Sequence, residues 1–454
     1  MQVSQIEKEL GLETYLTKSE GFGGKIRQFI DDFVVEELLL DGSVAEVNAP
    51  ASVWQPTGSG QYLICVMVKR KWDTFMAVRE VADRLHISQK RIRFAGIKDT
   101  KALTAQHISL QSVSPSSVLD LQIKDIMVYP KRFSKERMYS QLIKGNRFHI
   151  TIRGIEDSVS VIAENTKNIQ EEIEMVGGVP NFFGHQRFGT IRPNTHQVGK
   201  YLTRGEPERA AMAFLGEPTI YEHPEAREAR QELQDTMNFE AAFERFPRFL
   251  KYERFMLSHL SKYPTDYIGA FRTLPRRLRK LFVQGYQSYL FNKCLSARME
   301  KMIPINEPQI GDYMLRLDKN GFPTEYKDQA TKTNIHTMMQ LVKEGKMCVA
   351  LPLIGPNLAP SEGIQGEIEQ AILEIENVDP NKFKIPSMPE ASAEGRVRTI
   401  LNPVWNLIQE SLSEDIENDG KWIIKLTFNL NRGSYATVVL REFMKPKDVI
   451  SAGY

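Results

Sequence analysis

The segment Trp422-Ile423-Ile424-Lys425-Leu426-Thr427-Phe428-Asn429-Leu430 places Trp422, Ile424, Leu426, Phe428 and Leu430 on every second position. A period of two predicts a β-strand with one buried face. Asn431-Arg432-Gly433-Ser434 reads as a turn, Ser434 as a helix N-cap, and Tyr435 to Met444 as a short helix. One strand and one helix cannot bury enough surface to fold alone. They predict completion of a sheet built elsewhere, most simply by the N-terminal part. The chain therefore reads as one domain split by an insertion of about two hundred residues, itself domain-sized.

Working back from the closing strand, residues 375–400 are rich in Pro, Asn and Ser and read as a return linker. A helix is expected near 361–374, after a loop-rich stretch marked by Pro352, Pro356 and Pro360. Residues 196–300 have a helical, highly charged composition that includes Arg276, Arg277, Arg279 and Lys280. Gly177, Gly178 and Pro180 punctuate the chain after an amphipathic helix over 160–176.

In the N-terminal part, residues 1–20 read as a short helical lead-in and Ile26–Glu37 as a strand with a β-branched and aromatic centre. A loop over 41–60 precedes a strand from Gln61 to Val68. Asp73 or Thr74 can cap a helix to Leu85 with Phe75, Val78, Ala82 and Leu85 on one face.

Between that helix and a strand at His107–Leu110 lies Phe94-Ala95-Gly96-Ile97-Lys98-Asp99-Thr100-Lys101-Ala102-Leu103-Thr104-Ala105-Gln106. It sets one acid, Asp99, among Arg93, Lys98 and Lys101. Cations nearby favour the charged form of a carboxylate, so Asp99 is a candidate nucleophile or general base. A solvated turn whose Asp caps the local backbone is the plainer reading of this stretch alone.

Residues 131–153 carry Lys131, Arg132, Lys135, Arg137, Lys144, Arg147 and Arg153 against the single acid Glu136, with Phe133, Tyr139 and Phe148 interleaved. Such a pattern can neutralise phosphates and stack unpaired bases. It also suits an edge strand whose charges block aggregation. Within it, Phe148, Ile150 and Ile152 alternate on one face, and Asn146 shares that face.

Hydrophobic residues make up 41% and charged residues 26%, values of a soluble globular protein, and 454 residues allow two or three domains. The net charge of +2 means that attraction to nucleic acid must come from local clusters. Cys65, Cys294 and Cys348 are widely spaced, which fits a reducing compartment and a cytoplasmic chain. No secretory signal or membrane-length apolar run is evident. The eight histidines form no i, i+4 ligand pair, and there is no P-loop, G-x-G-x-x-G or G-x-S-x-G motif. The expectation is an enzyme with no metal and no cofactor, or a binding protein.

Five separated motifs, in order, resemble the TruD family of tRNA pseudouridine synthases. Gly96-Ile97-Lys98-Asp99 through Thr104 and Gln106 is similar to the family signature, and Asp32-Phe33-Val34-Val35-Glu36-Glu37 to its N-terminal motif. Lys144-Gly145-Asn146-x-Phe148 and Asn181-Phe182-Phe183-Gly184-x-Gln186-Arg187-Phe188-Gly189 match two more. Gly433-Ser434-Tyr435-Ala436-Thr437 with Arg441-Glu442 resembles the last. The long middle resembles archaeal members more than compact bacterial ones. Lys71 stands where the family often has Asn, and Tyr435 where it often has Phe.

The resemblance implies an α+β (mixed α/β) fold: a pseudouridine synthase catalytic domain with a largely antiparallel sheet over 1–177 and 401–454, interrupted by a family-specific α/β TRUD insertion domain over 178–400. It implies that Asp99 is the catalytic aspartate and that the substrate is tRNA, at a uridine of the D-arm region, position 13. The uridine N1–C1′ bond would break, and the base would turn and rejoin through C5. A carboxylate could add to C6, form an ester at C1′ or remove the 2′ proton. A base must leave its stack to be turned, which needs an aromatic wall and edge-reading polar groups. By resemblance Phe33, Phe148 and Tyr435 supply rings and Asn146 a hydrogen bond near Asp99. Lys25, Lys98, Lys101, Lys131, Arg132, Lys144, Arg147 and Arg187 are candidates for the RNA backbone. No obligate protein partner is evident. The alternative is a tRNA-binding protein or RNA chaperone without turnover.

Overall fold

The computed structural model describes residues 2–454. Its first six strands are β1 (Phe33–Leu39), β2 (Tyr62–Arg70), β3 (Ile92–Phe94), β4 (Leu103–Gln111), β5 (Ile126–Ser134) and β6 (Ile143–Ile155). The chain then passes through β7 (Val179–Pro180) into a region holding β8 (Tyr313–Leu317), β9 (Pro323–Gln329), β10 (Met347–Leu353) and β11 (Arg396–Thr399). It returns through β12 (Leu401–Asn402) to β13 (Val404–Glu414) and β14 (Trp422–Asn431).

The larger sheet has the order β13-β14-β6-β1-β4-β2-β5, with β3 on β4. Only β1 and β4 run parallel within it. The closing strand does complete the N-terminal sheet: β14 pairs antiparallel with β6 from Trp422↔Ile155 to Asn431↔Gly145. The alternation read from the sequence explains the pairing, because Ile424, Leu426, Phe428 and Leu430 are almost fully buried. The neighbouring β13 has no such alternation. It is an edge strand with two register irregularities and several exposed polar residues, so no period of two marks it.

The helix Thr74–Arg84 is capped by Asp73, which accepts from the Phe75 and Met76 amides. Its buried face is Thr74, Ala77, Val78, Val81 and Ala82, while Phe75 is half-exposed at 52%. The stripe is thus rotated from the one expected, and Phe75 meets only the edge of Phe94. The lead-in helix is confined to Gln5–Glu9.

The chain leaves and re-enters the sheet domain side by side. β7 and β12 pair through Leu401↔Pro180 and Asn402↔Val179. At Gly178, φ +152°, a Cβ would lie 2.2 Å from the Asn402 carbonyl oxygen, so this close crossing requires glycine. Beyond it, helices between Thr195 and Arg272 lead to the long helix Arg276–Glu300, against which Thr195–Arg204 packs, and a sheet of order β11-β10-β8-β9 follows. Part of the expected linker is therefore a strand: Arg396–Thr399 pairs with β10. Four residues with two arginines carry too little apolar signal to announce it.

The C-terminal helix spans Ala436–Met444 and every residue in it is buried. Tyr435, not Ser434, occupies the N-cap position, and the Ser434 hydroxyl donates to Asn402 instead. Arg441 forms buried ion pairs with Glu7 at 2.9 Å and Glu442 at 3.3 Å. Glu442 also accepts from the Leu16 and Thr17 amides, so helix and N-terminal segment are locked together. Burial alone would raise the Glu7 pKa; Arg441 and His185 reverse that and hold it at about 2. No helix among the described residues is long and apolar enough to cross a membrane.

Candidate active site

The loop joining β3 to β4 is fixed from behind by backbone-directed bonds. Gln106 on β4 donates to the Gly96 carbonyl at 2.9 Å, and the Lys98 amide donates to the Thr74 hydroxyl at 3.1 Å. Lys69, at the end of β2, is wholly buried, and its ammonium donates to the carbonyls of Trp72 and Asp99, each at 2.7 Å, and of Lys98 at 3.5 Å. No carboxylate among the described residues pairs with it. Burial lowers its pKa to about 8, against the opposing pull of Asp99 and Asp73.

Successive residues of this loop then diverge. Lys98 turns inward, where its Nζ lies 2.9 Å from Glu37 and donates to Asn146 Oδ1 at 2.6 Å. Burial would raise the Glu37 pKa, but the Lys98 charge and a hydrogen bond with His107 bring it to about 2. Asp99 turns outward, and its carboxylate is exposed with no hydrogen-bond donor among the described residues. Lys98 is thus not an RNA-backbone group, because its charge is spent on Glu37 inside the protein.

The cation that shares Asp99's field comes from elsewhere. Arg27 stacks on Phe33 at 3.8 Å from the ring centroid and donates to the Gly453 carbonyl at 2.8 Å. Burial lowers its pKa, and Asp99 is the first group to oppose that. Its backbone is left-handed, φ +58°, a conformation that non-glycine residues rarely adopt and that re-aims the side chain.

Phe33 and Phe148 meet edge to face at 6.2 Å, and Phe148 stacks on Phe428 at 5.4 Å. Both rings are at least 95% buried in the free protein, so they form the floor beneath Arg27 more than an open wall. Asn146 is half-buried, on the strand position opposite Leu430. Tyr435 follows a few residues later and packs against Phe183 at 6.4 Å. The structure thus joins Lys98, Glu37 and Asn146 in one group and Arg27, Phe33 and Phe148 in another, with Asp99 next to Lys98 in the chain and in the field of Arg27. Tyr435 belongs to a second cluster with Phe183.

The remaining basic candidates divide. Lys25 and Lys101 are exposed and unpaired among the described residues, and Lys131 is half-exposed. Lys144 lies over Trp405 at 5.4 Å. Arg132 pairs with Asp41 at 2.6 Å near the far edge of the sheet. Arg147 falls on the opposite face of β6 from Phe148, where Glu36 lies 3.6 Å away. In the free protein these two arginines of the run 131–153 therefore have carboxylate partners. Arg187 is half-buried beside Phe183, bonded to the Ser288 hydroxyl at 3.0 Å.

Arg27, Lys69 and Glu37 are the site residues that sequence reasoning missed. A lysine closing the apolar run Leu63–Val68 was the one available signal for Lys69. Lys71 has φ +58°, a conformation Asn tolerates better than Lys, so its departure from the resembled pattern falls on a backbone-strained position.

The family model for tRNA pseudouridine synthase D (TruD) matches residues 9–443. A "Probable tRNA pseudouridine synthase D" of Methanosarcina barkeri is 39% identical over 446 residues, 98% of either chain. One from Thermococcus sibiricus is 37% identical over 95% of this chain and 97% of its own. The crystal structure of a "Putative tRNA pseudouridine synthase D (TruD)" from Methanosarcina mazei superposes with a TM-score of 0.85 at 39% identity, covering 98% of this chain and 99% of that one. These matches define a class of isomerases acting on tRNA, with a mixed α/β fold and a mainly antiparallel sheet. The chain belongs to the tRNA pseudouridine synthase D (TruD) family.

Proposed function

We propose that this chain isomerises one uridine of tRNA to pseudouridine, at position 13 of the D-arm region, with Asp99 as the reacting carboxylate. The observation that carries this reading is the divergence at Lys98 and Asp99: the loop's lysine is neutralised inside, while its aspartate alone is presented. The reaction is redox-neutral. The N1–C1′ bond breaks, the C5–C1′ bond forms, the C5 hydrogen leaves as a proton, and N1 gains one. No cofactor is required for that balance. Lys69 fixes the Asp99 backbone, Arg27 supplies a fixed positive charge, and Asn146, oriented by Lys98, offers an amide to the base edge. Phe33 and Phe148 form the apolar floor, and Tyr435 supplies a ring from the other side. The catalytic domain comprises 1–177 and 401–454, and the insertion 178–400 closes on the RNA.

The test is a tRNA transcript containing [5-³H]uridine, incubated with the purified protein and nothing else. Tritium release in proportion to enzyme turnover, mapping to a single D-arm uridine, is expected. Binding without release would leave a tRNA-binding protein.

A further inference from the structure

Buried arginines in this protein are neutralised by carboxylates. Arg230 pairs with Glu222 and Glu253, Arg298 with Asp312, and Arg441 with Glu7 and Glu442. Arg187 and Arg398, both half-buried, have no carboxylate partner, and in that they resemble Arg27 rather than these three. They come from the segment after β7 and from β11, and their guanidiniums lie 5.5 and 4.1 Å from the centroid of the same Phe183 ring. Every partner they have is neutral. Arg187 Nε donates to Ser288 Oγ at 3.0 Å, and Arg398 donates to the Asn181 carbonyl at 3.2 Å and to Asn181 Oδ1 at 2.6 Å. Both terminal nitrogens of Arg187 and one of Arg398 have no acceptor among the described residues.

Two like charges held beside one ring with reduced access to water repel each other, and an anion between them relieves that. Burial lowers the pKa of both side chains, that of Arg398 to about 10, against the opposing pull of Tyr435, and the Arg187 charge adds to the lowering at Arg398. Both line a cavity of about 590 Å³ whose wall also carries Lys280, Lys384 and Arg396 against the single carboxylate of Glu394. Arg398 additionally borders the larger cavity that reaches the turn Asn431–Ser434 just before Tyr435. A planar fork stacked on a ring, with its outer N–H groups unspent, is suited to bidentate contact with a phosphate.

We infer that Arg187 and Arg398 form a clamp for one phosphodiester of the RNA, on the insertion side of the cleft next to Tyr435, with Lys280 and Lys384 at its entrance. This rests on the tRNA reading above and assigns part of the recognition to a site remote from Asp99 in sequence.

The experiment measures tRNA affinity against salt for wild type, Arg398→Gln, Arg187→Gln, the double variant and Lys167→Gln, an exposed helix lysine outside the cavity. Each single change is expected to weaken binding about tenfold and to lower the salt slope by about 1. The double variant should lose little more than either single, since one phosphate is shared, and Lys167→Gln should match wild type. Should either arginine variant unfold, Lys280→Gln with Lys384→Gln, both exposed, should still reduce affinity and slope. Inorganic phosphate binding is followed in parallel. Arginine variants that lose inorganic phosphate but keep wild-type tRNA affinity and slope would overturn the RNA assignment, as would variants unchanged in both. Product formation by the wild type on the same tRNA separates the two readings. If the wild type makes no pseudouridine, the functional reading fails; if it does and the variants bind as wild type, only the clamp fails.

Discussion

Lys98 and Glu37 form an ion pair of 2.9 Å with both side chains buried, immediately before the exposed Asp99 in the chain. Removing one partner of such a pair strands the other charge and costs about 3–5 kcal/mol. Glu37→Gln is therefore expected to lower stability by that order at neutral pH. The sign follows from the depressed carboxyl pKa, about 2 in the fold against an ordinary 4.5. Its stabilisation is fully present above about pH 4.5 and is lost as pH falls through about 2. Urea unfolding of wild type and Glu37→Gln should differ by a constant amount from pH 8 to about 5 and converge below. Equal stability at pH 7 would contradict the pairing.

Lys69 is expected to act on rate rather than affinity, because it grips the backbone of Asp99 and touches no exposed surface. Lys69→Met removes the donor shared by three carbonyls and should lower kcat at least tenfold with tRNA affinity within about threefold of wild type. With a folded pKa of about 8, the ammonium loses one donor above that pH and the loop loosens. Activity should fall above about pH 8 in the wild type, and Lys69→Arg, which stays protonated, should move that limb upward. For stability the sign is opposite. The unfolded lysine binds the proton up to about 10.5, so this group makes the fold more stable as pH rises from 8 to 10.5. An unchanged alkaline limb in Lys69→Arg would rule out this role.

Strands β6 and β14 and the helix after β6 were legible because their apolar periods are long and unbroken. The discontinuous sheet followed from one strand–helix pair too small to stand alone. The edge strand β13, the short charged β11 and the rotated face of the 74–84 helix were not legible, since pairing and packing from distant segments decide them. The same holds in the site. Cations near Asp99 and over 131–153 could be read, but which of them face water depends on Glu37, Glu36 and Asp41, contributed by other strands and loops. Arg27 reaches its place through a left-handed residue that no periodicity marks.

Arg27 supplies a charge without a carboxylate partner that acts on Asp99, so Arg27→Gln should reduce kcat about 10²-fold, the usual loss for one fixed transition-state contact. Its stacking on Phe33 is apolar as well as electrostatic, and Arg27→Lys should recover only part of the rate. Single-turnover kinetics with saturating enzyme would check this. Full activity in Arg27→Gln would remove it from the site.

Phe148 lies between Phe33 and Phe428, so Phe148→Ala should destabilise the fold by about 3–5 kcal/mol. Phe148→Leu keeps most of the volume and should cost less than about 2 kcal/mol. If the ring also supports the base, the leucine variant will lose activity at least tenfold while its thermal midpoint falls only a few degrees. Wild-type turnover in Phe148→Leu would assign the ring to the core alone.

In the proposed function the exposed carboxylate of Asp99, not the cleft as a whole, carries out the isomerisation. Asp99→Asn keeps the shape and leaves the Lys69 and Lys98 contacts intact, because those involve the backbone and the neighbouring side chain. The decisive measurement is tritium release from [5-³H]uridine tRNA by this variant, with tRNA affinity measured on the same preparation. Conversion abolished with wild-type binding retained is the predicted result; conversion at an unchanged rate per bound tRNA would contradict it.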